Sequence, residues 1–143
     1  IVKSIGGDEE NLIRLISRSF AVSLDSSFAM HPNYMECSDP TCTPIMNKGV
    51  VIKYDANMHY ATTAFSSAVF QEICHKNNIP YQKAAANSDL GTISAFMQTQ
   101  VEMNCVEVGI PTWAVHSAYE SCGTKDFYNL IRSLISFWNQ IKE

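Results

Sequence analysis

Two side chains suited to metal binding or acid–base chemistry follow apolar stretches of this sequence. Asp25 follows the run at 21–24, and His116 follows the run at 105–110. An aspartate at the end of a strand is most commonly a turn or capping group. A histidine in an apolar stretch is most commonly a satisfied core group. Together they predict a site that combines a carboxylate with an imidazole, provided that the fold brings both to one crevice.

Three further residues could form the wall of such a crevice. Lys53 lies inside an apolar, strand-like run, where a lysine either extends its ammonium group to solvent or meets an anion. His31 precedes a proline, which biases its backbone toward the extended region and creates a corner that could aim the ring at a cleft. Tyr60 directly precedes a helix-like segment. None of the three is diagnostic by itself.

The five cysteines offer weaker alternatives. They are scattered at positions 37, 42, 74, 105 and 122, a pattern typical of free thiols in a reducing compartment, so we expect a cytoplasmic location. A zinc site at Cys37 and Cys42 with His31 is the sharper hypothesis, but this spacing without a second close cysteine pair is weak. Cys122 and His116 could pair as nucleophile and base, although nothing in the sequence orients them.

The elements that must position these residues alternate along the chain. Apolar spacings of three and four predict helices at 8–20, 61–76, 91–100 and 126–141, and β-branched or apolar runs predict strands at 21–24, 49–54, 81–85 and 105–110. This alternation predicts an α/β fold, a layered sheet with helices on both faces. Chemistry collects at the carboxyl ends of strands in such sheets. We therefore expect Asp25, the turn at 89–92 and His116 to converge.

The last predicted helix carries one continuous apolar stripe, which we expect to be core rather than a partner site. Its members are Phe127, Leu130, Ile131, Leu134, Ile135, Trp138 and Ile141.

Composition limits the class of protein. The 143 residues are 46% hydrophobic and 17% charged, which is typical of a single folded domain or a fragment of one, spanning 1–143. The net charge of -4 argues against nucleic acid as a partner, since such a surface needs a basic stripe. No apolar run approaches the ~20 residues that cross a bilayer, so no membrane association is expected. Because the chain starts at Ile1 rather than methionine, we expect it to be processed or part of something longer.

Four segments, read in order, carry a family resemblance: LISRSFAVSLD, AMHPNY, NKGVVIKYDANMHYATTAFSSAVFQEIC and VEVGIPTWAVHSAYESCGTKD. Together they resemble the aspartyl aminopeptidase family of zinc metallopeptidases. An aspartate followed by HPNY, then a GVVIK strand and a late HS, is a specific combination in this order and spacing. The resemblance covers residues 12–137 and implies the C-terminal part of a zinc-exopeptidase catalytic domain.

The resemblance also implies a site. The family uses two zinc ions, which together can hold a hydroxide and polarise a peptide carbonyl. At the matching positions, Asp25 corresponds to a carboxylate ligand of one zinc and His116 to an imidazole ligand of the other. His31, Lys53 and Tyr60 correspond to groups that line the substrate pocket, where Lys53 would meet an acidic group of the substrate or a structural carboxylate. The implied partners are peptides with acidic N-terminal residues and other subunits of a homo-oligomeric, dodecameric cage.

Other parts of the family pattern have no counterpart here. The His-x-Asp motif, the bridging aspartate and the Glu-Glu pair with the general base lie upstream in the family. Phe28 stands where the family has a histidine, and the glycine-rich turn is shortened to residues 88–92. One hypothesis is a C-terminal part of a metallo-aminopeptidase, inactive without its upstream part or a complementary chain. The other is a non-catalytic interaction or scaffold subunit derived from such a peptidase.

Overall fold

Helices and strands alternate in a computed structural model, which describes residues 1–85 and 92–140. The helices are α1 (Glu9–Ser17), α2 (Ala64–Lys76), α3 (Ile93–Gln100) and α4 (Thr124–Gln140). The strands are β1 (Phe20–Phe28), β2 (Val50–Tyr54), β3 (Tyr81–Ala85), β4 (Asn104–Trp113) and β5 (Ser121–Cys122). Two short 3-10 helices occupy Lys3–Ile5 and Met35–Cys37. The predicted α/β class is confirmed.

The strands form one mixed sheet in the order β1-β4-β2-β3, with β5 paired to β4. β1 and β4 are parallel along the whole of β1, and β2 and β3 are parallel to each other. β2 runs antiparallel to β4, so the two parallel pairs point in opposite directions. Asp25 lies in the second half of β1, and β4 leads to His116, so both residues lie toward the same end of the sheet.

The two faces of the sheet differ sharply in chemistry, because successive side chains of a strand point to opposite faces. One face carries the apolar core with α2 and α4; it contains Val50, Ile52, Phe70, Ile73, Cys74, Ile79, Val106, Val108 and Phe137. The alternate residues of β1, β2 and β4 place Asp25, Lys53 and Glu107 on the other face. The register that pairs Asp25 with Gly109 brings these charged residues next to one another.

Capping side chains set where two helices begin. The carboxylate of Asp8 accepts a hydrogen bond from the backbone N–H of Asn11 at 2.9 Å, and this bond lowers the pKa of Asp8 below its ordinary value. Thr63 and Ser66 form a reciprocal capping box at the start of α2. As a result α1 begins one residue, and α2 three residues, after the predicted starts.

Two strands extend past their predicted ends. β1 continues to Phe28, so Asp25 lies within the strand and not at its end. β4 continues through Pro111 to Trp113, so the prediction that it stops at the proline is wrong. Pairing of β4 with β2 reaches only Gly109, so position 111 has no strand neighbour on that side, and the missing proline N–H breaks no ladder there.

The prediction that the α4 stripe is core is wrong for four of its members, whereas Leu130 packs against the core. Four stripe members are between 42% and 65% exposed: Phe127, Ile131, Ile135 and Trp138. The buried side of α4 is instead mostly polar and consists of Asp126, Asn129, Ser133 and Phe137. Ile141, the last predicted member, lies outside the described residues, as do residues 88–91 of the shortened turn. None of the helices in residues 1–85 and 92–140 combines the length and apolarity needed to span a lipid bilayer.

The cysteines divide into two reactivity classes. Burial raises the pKa of the Cys74 thiol to about 12, and burial together with the charge of Glu107 raises the pKa of Cys105 to about 11. Cys37 and Cys122 are exposed and Cys42 is partly so. Since the thiolate is the reactive form, we expect three thiols to react quickly with Ellman's reagent at pH 8 and two to react only after denaturation. Fast reaction of all five in the folded chain would contradict this burial.

Candidate functional site

A cavity of about 460 Å³ opens on the polar face of the sheet. Residues from all four main strands line it, including Asp25, Lys53 and Glu107. The loop before β2, the start of α3 and the turn after β4 close its sides. Ala85 and Thr92, which flank the segment outside the described residues, also line the cavity. The predicted carboxylate of Asp25 and the predicted imidazole of His116 both belong to residues that line it.

Asp25 projects its carboxylate into this cavity. The side chain is 50% exposed. Its Oδ1 accepts the backbone N–H of Ser26 at 2.7 Å, and its Oδ2 accepts a hydrogen bond from Lys53 Nζ at 3.0 Å. Each carboxylate oxygen keeps lone pairs toward the open side, because it has one partner here. Asp25 is thus oriented by the protein and still available to a cation in the cavity.

Lys53 forms the floor of the cavity and meets anions of the protein itself. The residue is only 4% exposed. Besides Asp25, its Nζ donates to the carbonyl oxygen of Ser26 at 2.9 Å and lies 3.8 Å from Glu107 Oε1. The Tyr60 ring centroid lies 4.7 Å from the same nitrogen. Of the two anions that the sequence left open for Lys53, the structural carboxylate is the one present.

Glu107 is the site residue that the sequence analysis missed. It is fully buried, and within residues 1–85 and 92–140 its Oε1 has no hydrogen-bond partner. Its Oε2 accepts a hydrogen bond from Thr92 Oγ1 at 3.2 Å, and its backbone N–H donates to Thr62 Oγ1 at 2.9 Å. The sequence feature that could have identified Glu107 is its charge inside the otherwise apolar run at 105–110. Such a residue needs a partner of opposite charge, and Lys53 lies in an equally apolar strand.

His116 lies in the tight turn that follows β4. The turn holds two non-glycine residues at positive φ, Ala114 at 55° and His116 at 68°. The backbone N–H of His116 donates to Glu120 Oε1 at 2.6 Å, which stabilises the turn. A bulky residue in the left-handed region costs about 1–3 kcal/mol and is concentrated at functional sites. The exposed His116 lines the cavity with Asp25, the other predicted metal ligand.

His31 does not line this cavity. Its ring packs against Tyr34 at 5.1 Å and against Trp113 at 6.2 Å between centroids. Its Nδ1 accepts the backbone N–H of Asn33 at 3.2 Å. The corner that follows β1 therefore packs beside the end of β4, and the predicted role of His31 in substrate binding stays a prediction. Tyr60, in contrast, lines the cavity.

The donor set is suited to a metal but incomplete. Asp25 and His116 supply an oxygen and a nitrogen that zinc accepts. In the described part of the chain, however, no three His, Cys, Asp or Glu side chains come close enough together to hold a metal ion. Cys37 and Cys42 line the cavity without His31, so the alternative cysteine–histidine zinc site is not formed. Any metal at Asp25 and His116 therefore needs further ligands from elsewhere.

Gly109 allows β4 to approach the strand that carries Asp25. A Cβ atom at this position would lie 2.4 Å from the backbone oxygen of Asp25. Because that oxygen belongs to a paired strand and cannot move alone, we expect Gly109→Ala to lower the free energy of unfolding by about 1–3 kcal/mol. Urea denaturation of the two chains measures the difference. An unchanged midpoint would contradict the close approach of the strands.

Comparison with known proteins identifies the family. The model of the aminopeptidase I zinc metalloprotease family (M18) matches residues 1–138. The chain is 39% identical over 142 residues to a probable M18 family aminopeptidase 2 of Clostridium acetobutylicum, and 33% identical to its counterpart in Stutzerimonas stutzeri. Each match covers 97% of this chain and 33% of the relative, so the chain spans about a third of their length.

Solved structures give the same result. Ape4, solved in complex with Nbr1, superimposes with a TM-score of 0.90 at 30% identity, covering 96% of this chain and 27% of that one. The mApe1 dodecamer of S. cerevisiae superimposes with a TM-score of 0.81 at 24% identity, covering 90% of this chain and 28% of that one, and shows the fold alone. The resemblance to aspartyl aminopeptidases is thereby confirmed at the level of the family. The chain belongs to the M18 family of zinc metalloproteases.

Proposed function

We propose that this chain is the C-terminal part of a zinc metallo-aminopeptidase that releases N-terminal residues from peptides. The observation that carries the proposal is that Asp25 and His116 line one cavity, Asp25 from within β1 and His116 from the turn after the parallel neighbouring strand β4. The family match supports it over nearly the whole chain. The strained backbone of His116 is a further support, because strain of this kind is retained where a side chain must be aimed.

In this proposal Asp25 and His116 are ligands of two zinc ions, one for each metal. The remaining ligands and the general base belong to the part of the polypeptide outside this chain. When bound, zinc supplies Lewis-acid polarisation of the peptide carbonyl and lowers the pKa of bound water. Within this chain, Lys53 orients the Asp25 carboxylate through its bond to Oδ2, and Ser26 orients the other oxygen.

The proposed substrates are peptides with an acidic N-terminal residue, held in the cavity beside Tyr60 and Lys53. His31 is retained as a proposed substrate contact from the corner after β1. Lys53 is balanced by two protein carboxylates, so it offers little free positive charge to a substrate. Positive charge for an acidic side chain would come mainly from the zinc ions. Phe28, 57% exposed and lining the cavity, is an apolar surface that makes this selectivity weaker than in relatives with a histidine there.

The proposed assembly is a cytoplasmic homo-oligomer of the intact enzyme. Its support is the structural likeness to a yeast relative that was solved as a dodecamer.

Native mass spectrometry with metal analysis, on the protein from its own source, tests the proposal. We expect a subunit several times the 16.0 kDa of this chain, or a complex with an upstream chain, carrying zinc and hydrolysing an aspartyl anilide. The isolated 143-residue chain with added zinc should not hydrolyse that substrate. If the isolated chain hydrolyses the substrate and His116→Ala abolishes that activity, the proposal that the site needs residues outside this chain is overturned.

A non-catalytic scaffold subunit is the second candidate. It is favoured by the absence of a three-ligand cluster among residues 1–85 and 92–140. A metal-free particle built only of 16.0 kDa chains would support this function and contradict the first.

A further inference from the structure

Helix α4 turns its apolar side away from the sheet that it packs on. Its inward position is held by specific contacts. The Phe20 and Phe137 ring centroids lie 5.5 Å apart, and Arg132 donates to the carbonyl oxygen of Asn77 at 3.0 Å. With this side anchored, rotation of α4 cannot bury the other side, where Trp138 is 65% exposed. Contiguous large apolar side chains at a surface mark an interaction site.

The spacing within the α4 stripe indicates what kind of element covers it. Phe127, Ile131 and Trp138 are exposed and Leu134 is half-buried, and these four follow one another at intervals of four, three and four. This is the a/d spacing of a seam between two packed helices, with the exposed Ile135 beside it. Arg132 is the charged residue between Phe127 and Trp138, and it is turned toward α2. The partner is therefore recognised through apolar packing, not through charge.

The exposed stripe is continuous with other surface that lacks a cover. A second cavity, of about 310 Å³, is lined by Leu24 of β1, Thr112 of β4 and Leu130 of α4. Among the described strands β1 pairs with β4 alone, so its outer side is open. Leu24 on that strand is 48% exposed. An uncovered surface thus runs from the outer side of β1 to α4.

We propose that the stripe formed by Phe127, Ile131, Leu134 and Trp138 is the docking seam for an amphipathic helix from the part of the M18 polypeptide outside this chain. The inference rests on the proposed function, because that function supplies the missing polypeptide. Relatives carry about two thirds of their length outside the matched region, since the match covers 33% of the Clostridium acetobutylicum protein. A surface continuous with an open strand edge is most simply covered by the same polypeptide that completes the sheet.

Hydroxyl-radical footprinting by mass spectrometry tests this assignment without relying on a variant that must fold. The labelling rates of Phe127 and Trp138 are measured in the 143-residue chain and in the protein purified from its own source. We expect both rates to fall several-fold in the purified protein and to stay low after its oligomer is dissociated into single subunits. Tyr128, 63% exposed on the same helix but beside Arg132, serves as the reference.

Two outcomes would overturn the proposal. If the rates recover when the oligomer dissociates, the stripe is a contact between copies of the enzyme. If they never fall, the stripe faces solvent. Failure of the proposed function would be seen separately. The purified protein would then lack zinc and would not hydrolyse the aspartyl anilide, while the labelling rate of Trp138 would still be low.

A pair of variants in the full-length protein provides the second measurement. Ile131→Glu puts a charge in the middle of the stripe, and we expect a several-fold loss of soluble assembly. Asn139→Glu adds the same charge on the same helix, one residue beyond Trp138, and should leave the yield unchanged. Equal yields of the two variants would count against the seam.

Discussion

Lys53→Met is expected to lower the free energy of unfolding of the 143-residue chain by about 3–5 kcal/mol, the usual cost of removing one partner from a buried ion pair. Methionine nearly matches the lysine stem in volume, so the loss reports the charge and not a cavity. Glu107 would keep its carboxyl group at 0% exposure with no cation beside Oε1. Asp25 is half exposed and can be hydrated, so most of the cost falls on Glu107.

A double-mutant cycle separates this explanation from simple loss of packing. Glu107→Gln in the Lys53→Met background removes the stranded charge, so urea denaturation should show that much of the lost stability returns. Lys83→Met is the matched control, because this lysine is exposed on β3, and a change within about 0.5 kcal/mol is expected. If the two substitutions at positions 53 and 107 simply add, the side chains do not act as a pair.

The same charged pair shows what the sequence could and could not predict. Asp25, Lys53, Tyr60 and His116 were found as candidates from residue type and family resemblance, and all four line one cavity. Glu107 was missed because its role depends on register. β4 inserts between β1 and β2 although it follows both in the chain. Periodicity reports whether a run is a strand, but it does not report which strand becomes its neighbour.

The helix α4 shows a second limit of the sequence. Its boundaries and its apolar stripe were predicted well, yet the buried side was not. Periodicity finds an apolar face but does not say what covers it, and here the sheet takes the opposite face. Ser133 on that face donates to the carbonyl oxygen of Leu130 within its own helix, so it is buried without a distant partner. Asp126 on the same face is buried for a different reason: its carboxylate accepts backbone hydrogen bonds from another part of the chain.

Asp126→Ala is expected to lower the free energy of unfolding by about 3–5 kcal/mol, because two hydrogen bonds to a charged acceptor are lost at a buried site. The Asp126 carboxylate is fully buried. It accepts the backbone N–H of Asn47, and that of Gly49 at 2.8 Å, so it ties the first turn of α4 to the loop that leads into β2. Asn47 returns the contact through Oδ1, which accepts the N–H of Lys125 at 3.1 Å.

Comparison of two replacements identifies the cause of this loss. Asp126→Asn keeps one acceptor oxygen for two N–H donors, so it should cost about half as much as alanine. Glu72→Ala is the control, since Glu72 takes part in an exposed i,i+4 pair with Lys76 that contributes only about 0.3–0.5 kcal/mol. All three are measured by urea denaturation at neutral pH.

Because the loop with Asn47 and Gly49 leads directly into β2, the strand that carries Lys53, the Asp126→Ala chain should also lose protection of β2 in hydrogen exchange. A stable Asp126→Ala chain would mean that water satisfies both donors, and that α4 and β2 are held together by packing alone.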